Sequence, residues 1–350
     1  MEFIYPAFFA FFITSFLFLP TIFIAKKFNL LDNPKTRPHP AHVQTRVVPR
    51  AGGLAPFFGI IISLLIFLPF ERYTLGLITS LSILLIVGLL DDKYQNLSPY
   101  LRLVSQFFAA LIVVVSGVGI SFITNPFGGI IYLDSLPFYL SHILTIIWIV
   151  WVMNMLNWSK GVDGQMPAVT TIASLILGLL SIKLYLLGDP NQEGVAKLSF
   201  ITSAVSLSLL IFNWHPAKIF PGFSGSTILG FLIALLAILS GAKLATAGLV
   251  LLIPATDFAY TFIRRILSGK SPVWGDRGHL HHKLLNLGFS HQRISLFYML
   301  ASAILGAIAL SLSSSGKLFA SILVAIVTLG SLIWLNFFGG YSKQQDPDNG

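Results

Sequence analysis

No cysteine occurs among the 350 residues of this chain. That excludes disulfides, thiol catalysis and cysteine-ligated metal centres. Charge is nearly as scarce. Only 10% of the residues are Asp, Glu, Lys or Arg, where a soluble domain carries ~25%. Acids are the scarcer sign, 13 against 22 lysines and arginines, for a formal net charge of +9. Apolar residues fill the space, at 55% of the chain and a mean hydropathy of +0.83. This composition excludes a soluble globular enzyme and implies an integral membrane protein. Counting domains by length does not apply to such a chain. One transmembrane domain over 1–340 is expected, followed by a disordered polar tail, 341–350. Excess positive charge can signal nucleic acid, but no long basic run or basic helix is present. In a membrane chain, Lys and Arg instead mark the cytoplasmic side.

A bilayer-spanning helix needs ~20 mostly apolar residues. Segments of that kind run over 3–25, 51–69, 73–90, 101–119, 138–156, 166–187, 197–213, 225–241, 243–263, 293–312 and 316–338. Met1-Glu2 offers no basic n-region and no small-residue cleavage site follows, so 3–25 reads as a retained span. Lipid admits helices but no open sheet edge. The expected fold is therefore all-α and polytopic, with about 11 transmembrane helices and no strands. Threading the chain this way puts 17 of the cations on one face and 5 on the other. The richer face is then cytoplasmic, with the N-terminus outside and the C-terminus inside. The loops 26–50, 91–100, 157–165, 214–224 and 264–292 share that face, and they hold nearly every chemically capable group. The pattern points to one cytoplasm-facing site.

Five polar segments are candidates for that site, and each also has a purely structural reading. Asp91 and Asp92 close an apolar span in GLLDDKYQ. Adjacent carboxylates need a counter-charge, often Mg²⁺ bridging substrate phosphates. A solvated helix end is the plainer reading. Arg102 and Gln106 follow at helical spacing and share one face. Asn154, Asn157, Lys160 and Asp163 lie in NMLNWSKGVDGQ, suited to a sugar, a base or a metal-bound phosphate, or to helix capping. FPGFSGSTILG opens a helix whose N–H groups form an anion site, unless Ser224 or Ser226 caps it. GDRGHLHHK holds Asp276, Arg277, His279, His281 and His282. Adjacent His281 and His282 point apart on a helix, a poor fit to closed zinc, so anion binding fits better, the plainer reading being a solvated basic loop that contacts lipid headgroups. Asp32, Arg37, His39, His42 and Arg46 form a second basic loop that could steer an anionic headgroup or serve topology alone.

Taken together and in this order, the segments resemble the polyprenyl-phosphate N-acetylhexosamine-1-phosphate transferases, in particular the branch that uses UDP-GlcNAc and undecaprenyl phosphate. The resemblance runs from about Asp32 to His291 and is carried by DNP…PRAGGLA, GLLDD, NMLNWSKGVDG, PAKIFPGFSGST and SPVWGDRGHLHHKLLNLGFSH. It implies that a lipid phosphate attacks the β-phosphorus of a UDP-N-acetylhexosamine, releasing UMP, with Mg²⁺ or Mn²⁺ as cofactor. The partners implied are that nucleotide sugar, a polyprenyl phosphate and the membrane, with a homodimer allowed. Asp91, Asp92 and Asp163 would be the catalytic and metal-binding carboxylates. Asn154, Asn157, Lys160, Arg37, Arg102, Arg277, His279, His281 and His282 would bind substrate. Two positions depart from the family pattern. Lys160 stands where the family writes the first Asp of Asp-Gly-x-Asp-Gly. Phe223 stands where it writes the Asp of Phe-x-Gly-Asp-x-Gly-Ser. Together they make the site three charge units more positive, which leaves two readings: a rearranged working site, or a member that binds its ligands without catalysis. A transporter is a weaker alternative, because inverted repeats and midplane polar residues are missing.

Overall fold

The computed structural model describes residues 1–35, 46–135, 139–241, 243–269, 271 and 278–337. The long helices are α1 (Ile4–Lys27), α3 (Arg72–Tyr94), α5 (Leu140–Trp158), α6 (Gln165–Leu186), α7 (Gln192–Asn213), α8 (Gly222–Leu239), α12 (His291–Ser311) and α13 (Ser314–Phe337). All eight are long and apolar enough to cross a membrane. Two shorter apolar helices, α2 (Leu54–Phe67) and α4 (Pro99–Val115), lie among them. The protein is an all-α, multi-pass membrane protein. Local signals set several starts. Pro99 sits in the first turn of α4 behind a Ser98 cap, and Ser290 caps α12 through the Arg293 N–H.

The apolar run 243–263 is not one straight helix. It divides into α9 (Leu244–Val250) and α10 (Leu252–Leu267), bent by 81°. Pro254 supplies the reason. It has no N–H for the Val250 carbonyl, and its ring clashes with a continuing helix. Two small antiparallel ladders also appear where no strand was expected. One pairs β1 (Leu31–Asp32) with β2 (Val48–Pro49), and the other pairs β3 (Phe122–Thr124) with β4 (Ile130–Tyr132). Both lie in connections between helices, so the rule against sheet edges in lipid does not reach them.

Helix α8 is the centre of the bundle. In its most apolar stretch 94% of the residues are buried, against 17% for α13 and 22% for α1. It packs on α3, α5, α6 and α7. The helix ends sort into two sets. At one end the C-termini of α1, α3, α5 and α7 meet the N-termini of α4, α6, α8 and α12. Bonds there include Gln95 Nε2 to the Leu31 carbonyl (2.6 Å), Gly164 N–H to Asn213 Oδ1 (2.9 Å) and Phe220 N–H to the Pro49 carbonyl (2.8 Å). At the other end Arg72 reaches the Val115 carbonyl and Gln192 the Leu239 carbonyl. The first end gathers the candidate residues.

Candidate active site

Asp92, near the C-terminus of α3, is fully buried against the N-terminus of α8. Its Oδ1 accepts from the Phe223 N–H (2.7 Å) and Arg50 Nε (3.3 Å). Its Oδ2 accepts from the Ser224 N–H (3.2 Å) and the Ser224 hydroxyl (2.6 Å). The anion at this helix N-terminus is thus the chain's own carboxylate, and neither Ser224 nor Ser226 is the cap. Both serines lie inside the helix, which begins at Gly222. Gly222 has φ +67°, and a Cβ there would lie 2.3 Å from the Asp92 oxygens. Gly88 is similarly required, since its Cβ would meet Ser224 Cα at 2.4 Å. Small residues let α3 and α8 touch.

Arg50 is delivered by the β1–β2 ladder, through its N–H to the Leu30 carbonyl. Its guanidinium spans Asp92 and Asp32, the latter at 3.7 Å. Asp91 pairs with Arg102 at 3.6 Å. Gln106, one turn on from Arg102, accepts from Asn154 Nδ2 at 2.7 Å, so both residues of that α4 face turn inward as expected. Asn157 accepts from the Ser226 hydroxyl at 2.9 Å. Neither asparagine is the helix cap, which falls at Ser159. Lys160 Nζ donates to the Gly222 carbonyl at 3.0 Å. Burial, then Arg50, pull Lys160 down to about 7, against Asp92 and Asp91, which raise it. An arriving anion would restore its charge.

Asp163 keeps different company. Its Oδ2 lies 2.7 Å from His215 Nδ1, 3.9 Å from His291 Nδ1 and 3.2 Å from the Ala217 N–H. The two rings stack at 4.4 Å. Among the described residues these three form a group whose ligand atoms lie within 4.8 Å of one another, whereas Asp91, Asp92 and Asp163 form no such group. His279, His281 and His282 are buried. Asp257 fixes His279 through Nδ1 at 2.9 Å and caps the short helix α11 (Leu280–Asn286) through the Leu280 N–H. A Cβ on Gly161 would meet His281 Nε2 at 2.1 Å, so this helix rests on the Lys160 loop. Burial, then His282 and His279, push His281 well below the ordinary histidine value. Arg37 and Arg277, with His39, His42 and Asp276, lie outside the described residues. The candidate list drawn from sequence omitted Arg50, Asp257, His215 and His291. Arg50 and His291 stand inside the quoted motifs, whereas Asp257 and His215 lie outside them.

A family model described as glycosyl transferase family 4 matches residues 74–241. A probable undecaprenyl-phosphate N-acetylglucosaminyl 1-phosphate transferase of Bacillus subtilis (strain 168) is 31% identical over 324 residues, covering 90% of this chain and 82% of its own length. The chain belongs to the polyprenyl-phosphate N-acetylglucosamine-1-phosphate transferase family. Two further relatives match over most of the chain. A decaprenyl-phosphate N-acetylglucosaminephosphotransferase of Mycolicibacterium smegmatis (strain ATCC 700084 / mc(2)155) is 30% identical, over 79% of this chain and 74% of its own. An undecaprenyl-phosphate alpha-N-acetylglucosaminyl 1-phosphate transferase of Escherichia coli (strain K12) is 26% identical, over 85% and 80%.

Within this family the two departures prove to be neighbours. The Lys160 ammonium lies 5.9 Å from the centre of the Phe223 ring, and the Arg102 guanidinium 5.6 Å. The described carboxylates do not fit the divalent cation that the family pattern implies. A carboxylate offers about four lone-pair sites, and Asp92 already accepts four donors. Phe223 has no ligand atom. The remaining carboxylate of the pair, Asp91, is matched by Arg102. The Asp163 group offers two nitrogens and one oxygen, a poor match for a hard cation.

Proposed function

We propose that this protein transfers GlcNAc-1-phosphate from UDP-GlcNAc to a polyprenyl phosphate at the cytoplasmic face of the cell membrane, releasing UMP. This would be the first lipid-linked step of a cell-envelope glycan. The observation that carries the reading is the meeting of Arg50, Arg102 and Lys160 around Asp91 and Asp92 at one end of an apolar bundle. The names of the relatives support the substrates. The excess of cations on the loops of that end supports the orientation.

Phosphoryl transfer needs chiefly positioning and charge neutralisation. An oxygen of the lipid phosphate attacks the β-phosphorus of the donor. The bond from that phosphorus to the bridging oxygen breaks, and the electron pair leaves on UMP. Asp91 takes any proton the lipid phosphate carries. Arg50, Arg102 and Lys160 face the charge that develops on the phosphoryl oxygens, as preorganised donors do. Asp92 holds the N-terminus of α8 and Arg50 in place. Asn154, Asn157 and Asp163 shape the nucleotide side of the site. The family resemblance assigns His279, His281, His282, Arg277 and Arg37 to substrate binding as well.

The test uses purified protein in nanodiscs with undecaprenyl phosphate and UDP-GlcNAc labelled in the sugar. Label should pass into the lipid fraction with one UMP released per label. Release of UDP instead, or no lipid label, would contradict the reading.

A further inference from the structure

We propose that the Lys160 ammonium is the cation that holds the donor's diphosphate, and that this site takes no divalent metal. The inference rests on the transferase reading and concerns how that same site is charged.

Three acids, Asp32, Asp91 and Asp92, face three cations, Arg50, Arg102 and Lys160. Among the described residues, acids and cations are equal in number there before any ligand arrives. A divalent ion would add two positive charges to this set and would meet an Asp92 with no free lone pair. Asp92 takes its four hydrogen bonds from other groups than Lys160. The N-terminus of α8 and Arg50 already neutralise it, the helix end alone contributing roughly half a positive charge. The ammonium is instead held at the edge of the cluster. It bonds the Gly222 carbonyl and lies near the Phe223 ring. An ammonium has three N–H donors, and the Gly222 contact uses one. Lys160 and Arg102 are both part-exposed, so an anion can reach them. The Phe223 ring lies near both cations and carries no charge, so it leaves them for a ligand. An aspartate there would claim them. The two departures therefore act as one change. A carboxylate pair suited to a metal is replaced by an ammonium and the ring beside it.

Mn²⁺ is the probe, counted by electron paramagnetic resonance on the whole chain in nanodiscs, with and without UDP-GlcNAc. A His215→Ala background removes the separate Asp163 group. No saturable Mn²⁺ should bind to that protein. Lys160→Asp with Phe223→Asp should gain one ion per chain. In EDTA, calorimetry should show UDP-GlcNAc binding that weakens about tenfold or more in Lys160→Gln and is kept in Lys160→Arg, the effect of losing one charge-assisted hydrogen bond. This arm decides the matter if the double variant does not fold. A wild-type Mn²⁺ site lost in Asp91→Asn, or transfer that occurs only with added Mg²⁺, overturns the inference and leaves the transferase reading intact. No binding or transfer of UDP-GlcNAc under any condition overturns both.

Discussion

Two buried aspartates at the same end of the bundle are satisfied by opposite means. Asp92 is held by two backbone N–H groups, a hydroxyl and a guanidinium. None of these donors changes its charge near neutral pH. Asp163 is held by one backbone N–H and the His215 ring, with His291 stacked behind. An imidazole can present either ring nitrogen as donor or acceptor, which the donors on Asp92 cannot. Asp92 is a fixed joint between α3 and α8, and Asp163 is an adjustable one between the α5–α6 loop and the α7–α8 connection, with α12 behind. The rigid joint sets where Arg50 stands.

The largest effect that would break this comparison is at Asp92. Asp92→Asn turns an amide N–H toward backbone N–H groups and strips Arg50 of a partner. Breaking a buried ion pair costs about 3–5 kcal/mol. Thermal unfolding in detergent should register a loss of that size, and transfer should fall by at least about a hundredfold. Asp163→Asn should cost less, about 1.5–3 kcal/mol, since the carboxylate's bonds to the His215 ring and the Ala217 N–H become neutral ones. An Asp163→Asn loss equal to that of Asp92→Asn would erase the distinction between the two joints. Next comes Gly222→Ala. The alanine must take φ +67° and press on the Asp92 carboxylate. A loss of about 1–3 kcal/mol is expected in the same melt.

The smallest effect is one of pH. The folded state holds His281 below its ordinary value, so the unfolded chain binds more protons as pH falls below about 6.5. Stability is therefore lost downward from that pH, by at most about 1.4 kcal/mol per unit. His281→Gln should flatten this part of the melting profile between pH 7 and pH 5. An unchanged slope would mean that the buried ring is not the group that titrates.

The fold was largely legible. Each of the eleven apolar runs contains helix, because backbone in lipid must bond to itself. The break at Leu251 was less legible, since Pro254 lies in an unbroken apolar run and hydropathy alone reads straight through it. The site was legible as a set of residues and not as a set of pairs. DD, NMLNWSKGVDG and GHLHH announce polar groups that have to be occupied. Nothing local says that Asp92 closes on a helix 131 positions later, or that Asp163 turns away to His215 and His291. Lys160 and Phe223 each stood out against the family pattern. Their contact is a property of the fold.

The measurement that bears most directly on the account is mass-spectrometric detection of undecaprenyl-diphosphate-GlcNAc made by the reconstituted protein, beside the Arg102→Ala variant. Arg102 pairs with Asp91 and lies near Phe223. The account predicts product from the wild-type chain and at least about a hundredfold less from the variant, the scale of a lost charge-stabilising donor. Equal product from both, or none from the wild type, would contradict it.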